Sequence, residues 1–372
     1  MTHASTVVNT APWIFTVAAS NIDRDFQSAV VLGNGHVLKG SAINFSNLTA
    51  SKKYPLAYGR EIAAPSTPWS EASNCIPGSL DTKKTAGKII VCTDTDPMVT
   101  RRIKKLVAED ANAKGMILID EDQKGVPFDS GVFPFSQVRN IDGYKILKYI
   151  SSTRNPTATI LSTVDINKFK PAPVVAYFSS RGPGALTETI IKPDVTAPGV
   201  GILAAMIPKV EIGSIPKGKK PSQFGIRSGT SMACPHVAGT AALIKSIHPT
   251  WSSSMIKSAL MTTEDFISDL NYPSISISKL EGRRQQHYTR TITRTVTNVG
   301  PKNSTYIAKI DCSTTLGVAI SPKRLSFSPS STKASFKVSF YDKGAPKGYS
   351  FGSITWSDGV HFVRTNFAVN VV

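Results

Sequence analysis

The sequence predicts an α/β protein that ends in an antiparallel β-sandwich, and three observations carry that reading. Short apolar runs such as Lys88 to Val91 and Met116 to Ile119 are separated by helix-length segments, the alternation of an α/β unit. Residues 174 to about 265 mix strand, glycine turns and helix. After residue 273 the pattern becomes period-two: Phe336, Val338 and Phe340 alternate with polar residues, as do Ile354 and Trp356, and Val363, Phe367, Val369 and Val371. Such runs, spaced by Gly, Pro and Ser, are the pattern of a sandwich.

The elements follow in order. Trp13 to Ala19 reads as a buried strand, and Val30-Val31-Leu32 as a second before the turn Gly33-Asn34-Gly35. Between the strands at 88–91 and 116–119, Val99, Ile103, Leu106, Val107 and Ala111 fall on one helical face, with basic residues opposite. A second helix is expected around Gly143 to Ser151, and Pro171-Ala172-Pro173 returns the chain to a strand, Val174 to Phe178. A further helix begins after Gly229 and runs through Val237, Ala238, Ala241, Leu243 and Ile244 until His248-Pro249 stops it.

Length and composition bound the function. At 372 residues the chain exceeds what one core usually serves, and 41% hydrophobic content with 26 Gly and 24 Pro suits a loop-rich globular protein. No apolar run approaches the roughly 18 residues that span a bilayer, and Met1-Thr2-His3 supplies no basic flank for a signal peptide. The net charge of +18 raises a nucleic-acid reading. The clusters Arg101-Arg102-Lys104-Lys105, Lys217-Lys219-Lys220 and Arg283-Arg284 are scattered, without interleaved aromatics, and match no nucleic-acid module. They read as solvated surface charge, with affinity for acidic polymers as the alternative.

Four cysteines do not make a disulfide scaffold in a chain this long. Cys75 and Cys92 flank a turn-rich stretch and could pair, Cys234 reads as packing, and Cys312 as unpaired. No CxxC or His/Cys spacing suggests a metal. Three Asn-x-Ser/Thr triplets, at Asn44, Asn47 and Asn303, are compatible with secretion.

The string Gly229-Thr230-Ser231-Met232-Ala233-Cys234-Pro235-His236-Val237-Ala238-Gly239 places a hydroxyl where a glycine-containing loop enters an apolar helix. There the Ser231 backbone N–H is one of the unpaired first-turn donors and can face an oxyanion. This string resembles the catalytic-serine motif of the subtilisin-like serine proteases. The resemblance, to the plant-type subtilases in particular, covers nearly the whole chain. Thr6 to Trp13 and Ile22 to Phe26 look like the stretch after the family's oxyanion-hole loop. Cys75 to Cys92, with Gly87-Lys88-Ile89-Ile90-Val91, is similar to the inserted protease-associated domain. Phe178 to Pro183 and Lys192 to Val200 match the strands and turns before the serine. Asn271-Tyr272-Pro273, Val296 to Gly300 and Trp356 to Gly359 resemble the C-terminal fibronectin-III-like domain.

The resemblance implies the C-terminal part of a subtilisin-like parallel-sheet domain in two segments, 1–53 and 166–266. It implies an inserted protease-associated domain at 54–165 and a fibronectin-III-like sandwich at 267–372. It further implies a secreted endopeptidase of the apoplast or cell wall, acting on polypeptides through an acyl-enzyme on Ser231. No cofactor and no nucleic-acid partner is implied, and the inserted and fibronectin-III-like domains are the surfaces for self-association. The Ser179 to Gly182 region is the candidate cleft wall.

A serine hydroxyl needs an imidazole to take its proton and a carboxylate to hold that imidazole. No Asp-Thr/Ser-Gly and no His-Gly-Thr occurs in the chain. His236 is five residues along the helix from Ser231, about 140° around it. His248 sits at a helix end, His36 at a turn, His287 and His361 in the sandwich, and neither His3 nor Asn9 fits the missing roles. In bacterial subtilisin, a relative, loss of the triad costs about 10⁶-fold in rate and loss of the oxyanion donor about 10²- to 10³-fold. The chain therefore reads as N-terminally truncated and inactive alone. Several dozen residues of the family pattern are also missing where Thr263 runs into Asp265, and such a remnant should expose an apolar strand edge. Three readings stay open: a fragment or incomplete gene of an active protease, a non-catalytic binding protein, and activity completed by another chain.

Overall fold

The computed structural model describes residues 5–96, 98–120, 125–184, 190–207, 215, 217–262, 274–281 and 289–372. Asn271-Tyr272-Pro273, the 263–265 junction, Arg283-Arg284, His3 and His287 lie outside the described residues. The strands and helices begin with β1 (Val17–Ser20), β2 (Arg24–Leu32), β3 (Val37–Ser41), β4 (Ile43–Asn44), β5 (Tyr54–Tyr58), α1 (Trp69–Ser73), α2 (Thr82–Thr85) and β6 (Ile89–Thr93). They continue with α3 (Arg101–Asp110), β7 (Gly115–Asp120), β8 (Asp129–Gly131), β9 (Phe135–Arg139), α4 (Asn140–Ser152), β10 (Thr157–Ile160), β11 (Val164–Asn167), β12 (Val195–Pro198), β13 (Ile202–Ala205) and β14 (Phe224–Arg227). The rest are α5 (Thr230–Ile247), α6 (Ser253–Thr262), β15 (Ile275–Leu280), β16 (Arg290–Thr297), β17 (Ser304–Cys312), β18 (Leu316–Ser321), β19 (Arg324–Phe327), β20 (Lys333–Asp342), β21 (Gly348–Ser357) and β22 (Phe362–Val371). The chain divides into two compact units, Asn21–Phe178 with Gly199–Met232, and Met1–Ser20 with Ser179–Pro198 and Ala233–Val372.

The first unit is built on the sheet order β10-β5-β6-β7-β9-β3-β2-β11, closed by a further pairing of β10 with β2. Strands β5, β6, β7 and β9 are mutually parallel and the others join antiparallel. The parallel strands are buried on both faces, which is why 89–92 and 116–119 read as continuous apolar runs. Ile90, Cys92, Met116 and Leu118 pack on one side with Ala72, Cys75 and Ala108. Ile89, Val91, Ile117 and Ile119 pack on the other with Ile146 and Ile150 of α4. Cys75 and Cys92 are joined by a disulfide, Cα to Cα 5.8 Å, which tacks α1 to the sheet. Cys234 and Cys312 are free.

Two expectations in this unit are corrected. The buried face of α3 holds Lys104 and Ala108, while Ile103 and Leu106 are exposed. The helix turns this way because the Lys104 ammonium donates to the carbonyls of Asn74 (2.8 Å) and Thr93 (3.1 Å) and lies 3.5 Å from the Asp94 carboxylate. Lys104 is therefore not a solvated surface charge. Residues 174–178 form no strand. Asn21 occupies Val174 instead, its Oδ1 accepting from the Val174 N–H at 2.6 Å and its N–H donating to the Val174 carbonyl at 2.9 Å.

The second unit holds the sandwich: a five-stranded sheet, β15-β22-β21-β17-β19, and a three-stranded one, β16-β20-β18. All pairings are antiparallel except β15 with β22. Their inward residues, Phe336, Val338, Phe340, Ile354, Trp356 and Phe367 among them, form one core, as the period-two pattern predicts. The same unit contains the parallel pair β1 and β12, Val17 opposite Val195. Each of these two strands has one strand neighbour, and Ala18, Ala19, Ser20, Val195 and Ala197 on them are buried. The buried Ser179 hydroxyl accepts the Ala19 N–H at 3.1 Å, so a side chain satisfies a donor that a neighbouring strand would otherwise take. Ser179 thus has a structural role at the β1 edge.

Candidate active site

Local geometry sets Ser231 where the sequence places it. Strands β13 and β14 pair antiparallel, Ile202 opposite Arg227, and the chain leaves β14 through Ser228-Gly229 into α5. The Gly229 N–H donates to the Gly199 carbonyl at 2.8 Å, and the Ser228 hydroxyl accepts from the Gly201 N–H at 2.9 Å. Gly229 has φ of 156°, a conformation L side chains rarely adopt. Ser231 follows as the second residue of α5 and is exposed. The Met232 N–H turns back to the Gly229 carbonyl at 3.0 Å, and Pro235, inside the helix, has no N–H to return to the Ser231 carbonyl.

What surrounds this hydroxyl decides its chemistry. Among the described residues, the compact unit that holds Ser231 contributes one histidine, His36. His36 is exposed beside the turn at 33–35. His236 is exposed further along α5, its carbonyl accepting the Thr240 hydroxyl at 2.8 Å. His248 stacks on Trp251, ring centroids 4.1 Å apart. His361 pairs with Asp358, Nδ1 to Oδ2 2.9 Å, at the tip between β21 and β22.

The buried carboxylate that precedes β12 is also committed. Asp194 Oδ2 lies 2.6 Å from Lys192 Nζ and accepts the Thr16 N–H at 2.6 Å. Lys192 also donates to the Ile14 carbonyl at 2.7 Å, where Lys257 donates at 3.3 Å. Burial lowers the pKa of Lys257; Asp194 opposes that and Lys192 adds to it. Lys192 and Asp194 form a buried ion pair, and with Lys257 they hold residues 12–16 against β12.

The helix itself differs from the reading of a packed motif. Only Ala233 and Val237 of α5 are buried. Leu243 and Ile247 are 59% and 63% exposed, and Cys234 faces solvent rather than packing.

Residues 8–303 match the Subtilase family and residues 269–369 match a Fibronectin type-III domain. Among curated relatives, the CO(2)-response secreted protease of Arabidopsis thaliana is 34% identical over 446 residues, covering 98% of this chain and 57% of that protein. The subtilisin-like protease SBT5.1 of Arabidopsis thaliana is 34% identical, with 98% of this chain and 58% of the relative covered. The subtilisin-like protease SBT4.6 of the same plant is 37% identical, covering 98% and 57%. The chain thus spans a little over half the length of the relatives it matches. The 446-residue match also exceeds the 372 residues of this chain, so the relative carries residues inside the matched span that have no counterpart here. A solved zinc aminopeptidase from Bacillus subtilis is 19% identical over 39% of the chain and 33% of that protein, at a TM-score of 0.23 too low to bear on the fold.

Proposed function

Since this chain belongs to the subtilase family, we propose that Ser231 stands in the nucleophile position of a secreted serine endopeptidase and that the chain as given does not hydrolyse peptide bonds by itself. The observation that carries this reading is an exposed Ser231 hydroxyl at the first turn of α5, in a sequence that contains no His-Gly-Thr and no Asp-Thr/Ser-Gly. Acyl transfer would need a base to take the Ser231 proton and donors for the oxyanion. The serine's own N–H supplies one donor, and the base is missing. The surplus residues inside the relatives' matched span support a chain from which family pattern has been lost internally.

We assign 54–165, with its disulfide, to the protease-associated domain of the family, 1–53 and 166–266 to the subtilisin-like domain, and 267–372 to the fibronectin-III-like sandwich. Secretion to the apoplast or cell wall rests on one relative, named a secreted protease, and on the Cys75–Cys92 disulfide, which persists in oxidising compartments. Polypeptides are the substrates of the family chemistry, and glycosylation accompanies the secretory route.

The test is a fluorophosphonate probe on the purified chain with Ser231→Ala as control. No Ser231-dependent labelling is expected. Labelling lost in the alanine variant would overturn inactivity and leave the nucleophile assignment standing.

A second reading is favoured by one observation: the sheet of the first unit and the sandwich each have an apolar core of their own. The protein then acts by binding, to peptides or to other subtilase chains, through these two folded parts. Analytical ultracentrifugation with a complete subtilase chain measures this, and sedimentation as two separate species would sink it.

A further inference from the structure

We infer that Asn47 and Asn303 are the N-glycan acceptors of this protein and that Asn44, although its triplet is intact, is closed to modification; the inference rests on the secretory reading above. The transfer joins the asparagine Nδ2 to the anomeric carbon of a lipid-diphosphate-linked oligosaccharide. A C–N bond forms, the C–O bond to the diphosphate breaks, the lipid diphosphate leaves, and one amide proton passes to solvent. The product amide keeps a single N–H and must point its sugar outward.

Asn44 cannot meet that requirement in the folded chain. Its side chain is 1% exposed. Its Nδ2 lies 2.7 Å from Ser28 Oγ, 2.9 Å from the Phe135 carbonyl and 3.3 Å from the Leu161 carbonyl. Two amide hydrogens serve three acceptors on β2, β9 and the residue after β10, so this one side chain ties together the closing seam of the eight-stranded sheet. Its Oδ1 accepts the Ser46 N–H at 3.2 Å. A sugar on Nδ2 would have to occupy the space of Ser28 and Phe135, and would leave a single amide hydrogen for the three buried acceptors that two now serve. A chain glycosylated at Asn44 before folding could not close the sheet.

The other two triplets meet it. Asn47 is exposed in the extended segment between β4 and β5, and the Thr49 of its triplet is exposed as well. Asn303 is exposed in the turn joining β16 to β17, where Asn298 Nδ2 braces the Pro301 carbonyl at 2.7 Å and the Ser304 hydroxyl at 3.1 Å. Neither Asn47 nor Asn303 needs its amide for the fold, and both point a sugar into solvent.

The experiment expresses the full chain behind a foreign signal peptide in a eukaryotic host. Secreted protein is treated with peptide N-glycosidase in ¹⁸O water and mapped by mass spectrometry. Heavy aspartate is expected at 47 and 303 and unmodified asparagine at 44. Asn47→Gln and Asn303→Gln should each remove one glycan step on a gel. Ser46→Ala destroys the Asn44 triplet while leaving its amide bonds in place, and should change neither glycan number nor secreted yield. A tag at 44 in secreted protein, or bare asparagine at 47 or 303, overturns the inference. Because the signal is foreign, those outcomes are independent of the native secretory reading, which fails instead if the native protein is retained inside the plant cell.

Discussion

At Ser231 the loop–helix geometry is in place: the hydroxyl stands exposed on the second residue of α5. A different residue shows what a fully engaged side chain does. Asp358 accepts backbone N–H bonds from His361 (2.6 Å) and Val360 (3.0 Å), and its other oxygen meets the His361 ring. These bonds, the His361 backbone foremost, hold its carboxyl well below its ordinary pKa of 3.8. A carboxylate depressed by folding stabilises the native state above its unfolded pKa, and that contribution is lost as pH falls toward the folded value. Asp358→Asn should therefore lower the melting temperature at pH 7. The gap between variant and parent should narrow as pH is taken from 6 to 2, a trend that calorimetry in a pH series reads directly. The serine, the histidine ring and the carboxylate were each visible in the sequence. That Asp358 and His361 pair across one tight turn was not, because spacing alone does not say which way the loop between β21 and β22 folds back.

Among the elements, α5 and α3 show where periodic reading holds and where it stops. Alternation of apolar and polar residues located β20, β21 and β22, since a strand in a sandwich has one wet face. The apolar run of α5 located a helix correctly, yet an all-round apolar helix is ordinarily buried, and Leu243 and Ile247 of this one lie open to water. Replacing both by lysine should suppress self-association in light scattering at micromolar concentration. The unfolding free energy should change by no more than about 0.5 kcal/mol, as at other surface sites. A large loss of stability would mean these side chains are packed. In α3 the apolar stripe held only in part: Val107 and Ala111 pack on the core while Ile103 and Leu106 stay exposed. A buried lysine with two carbonyls and a carboxylate waiting for it outweighs two leucine-sized side chains, and nothing in a helical wheel announces those acceptors.

For the whole molecule, two compact units with separate cores predict two thermal transitions. Reduction of Cys75–Cys92, which closes a short loop of sequence separation 17, should lower one transition by about 3 kcal/mol of stability. Phe340→Ala, which truncates a fully buried sandwich ring, should lower the other by about 3–5 kcal/mol. Differential scanning calorimetry with and without reductant separates the two, and a single transition moved by both changes would refute their independence. The sequence by itself determined the family, the sandwich pattern, the serine at the head of a helix and the cysteines able to pair. These are written in local spacing and ordered motifs. Only the tertiary structure decided that β2 and β3 join the sheet of β5 to β10, that Lys104 is buried and α5 is not, and that Asn44 is sealed while Asn47 is open. Each of those outcomes depends on which distant segment arrives to cover a surface or accept a proton, and no local pattern encodes that arrival.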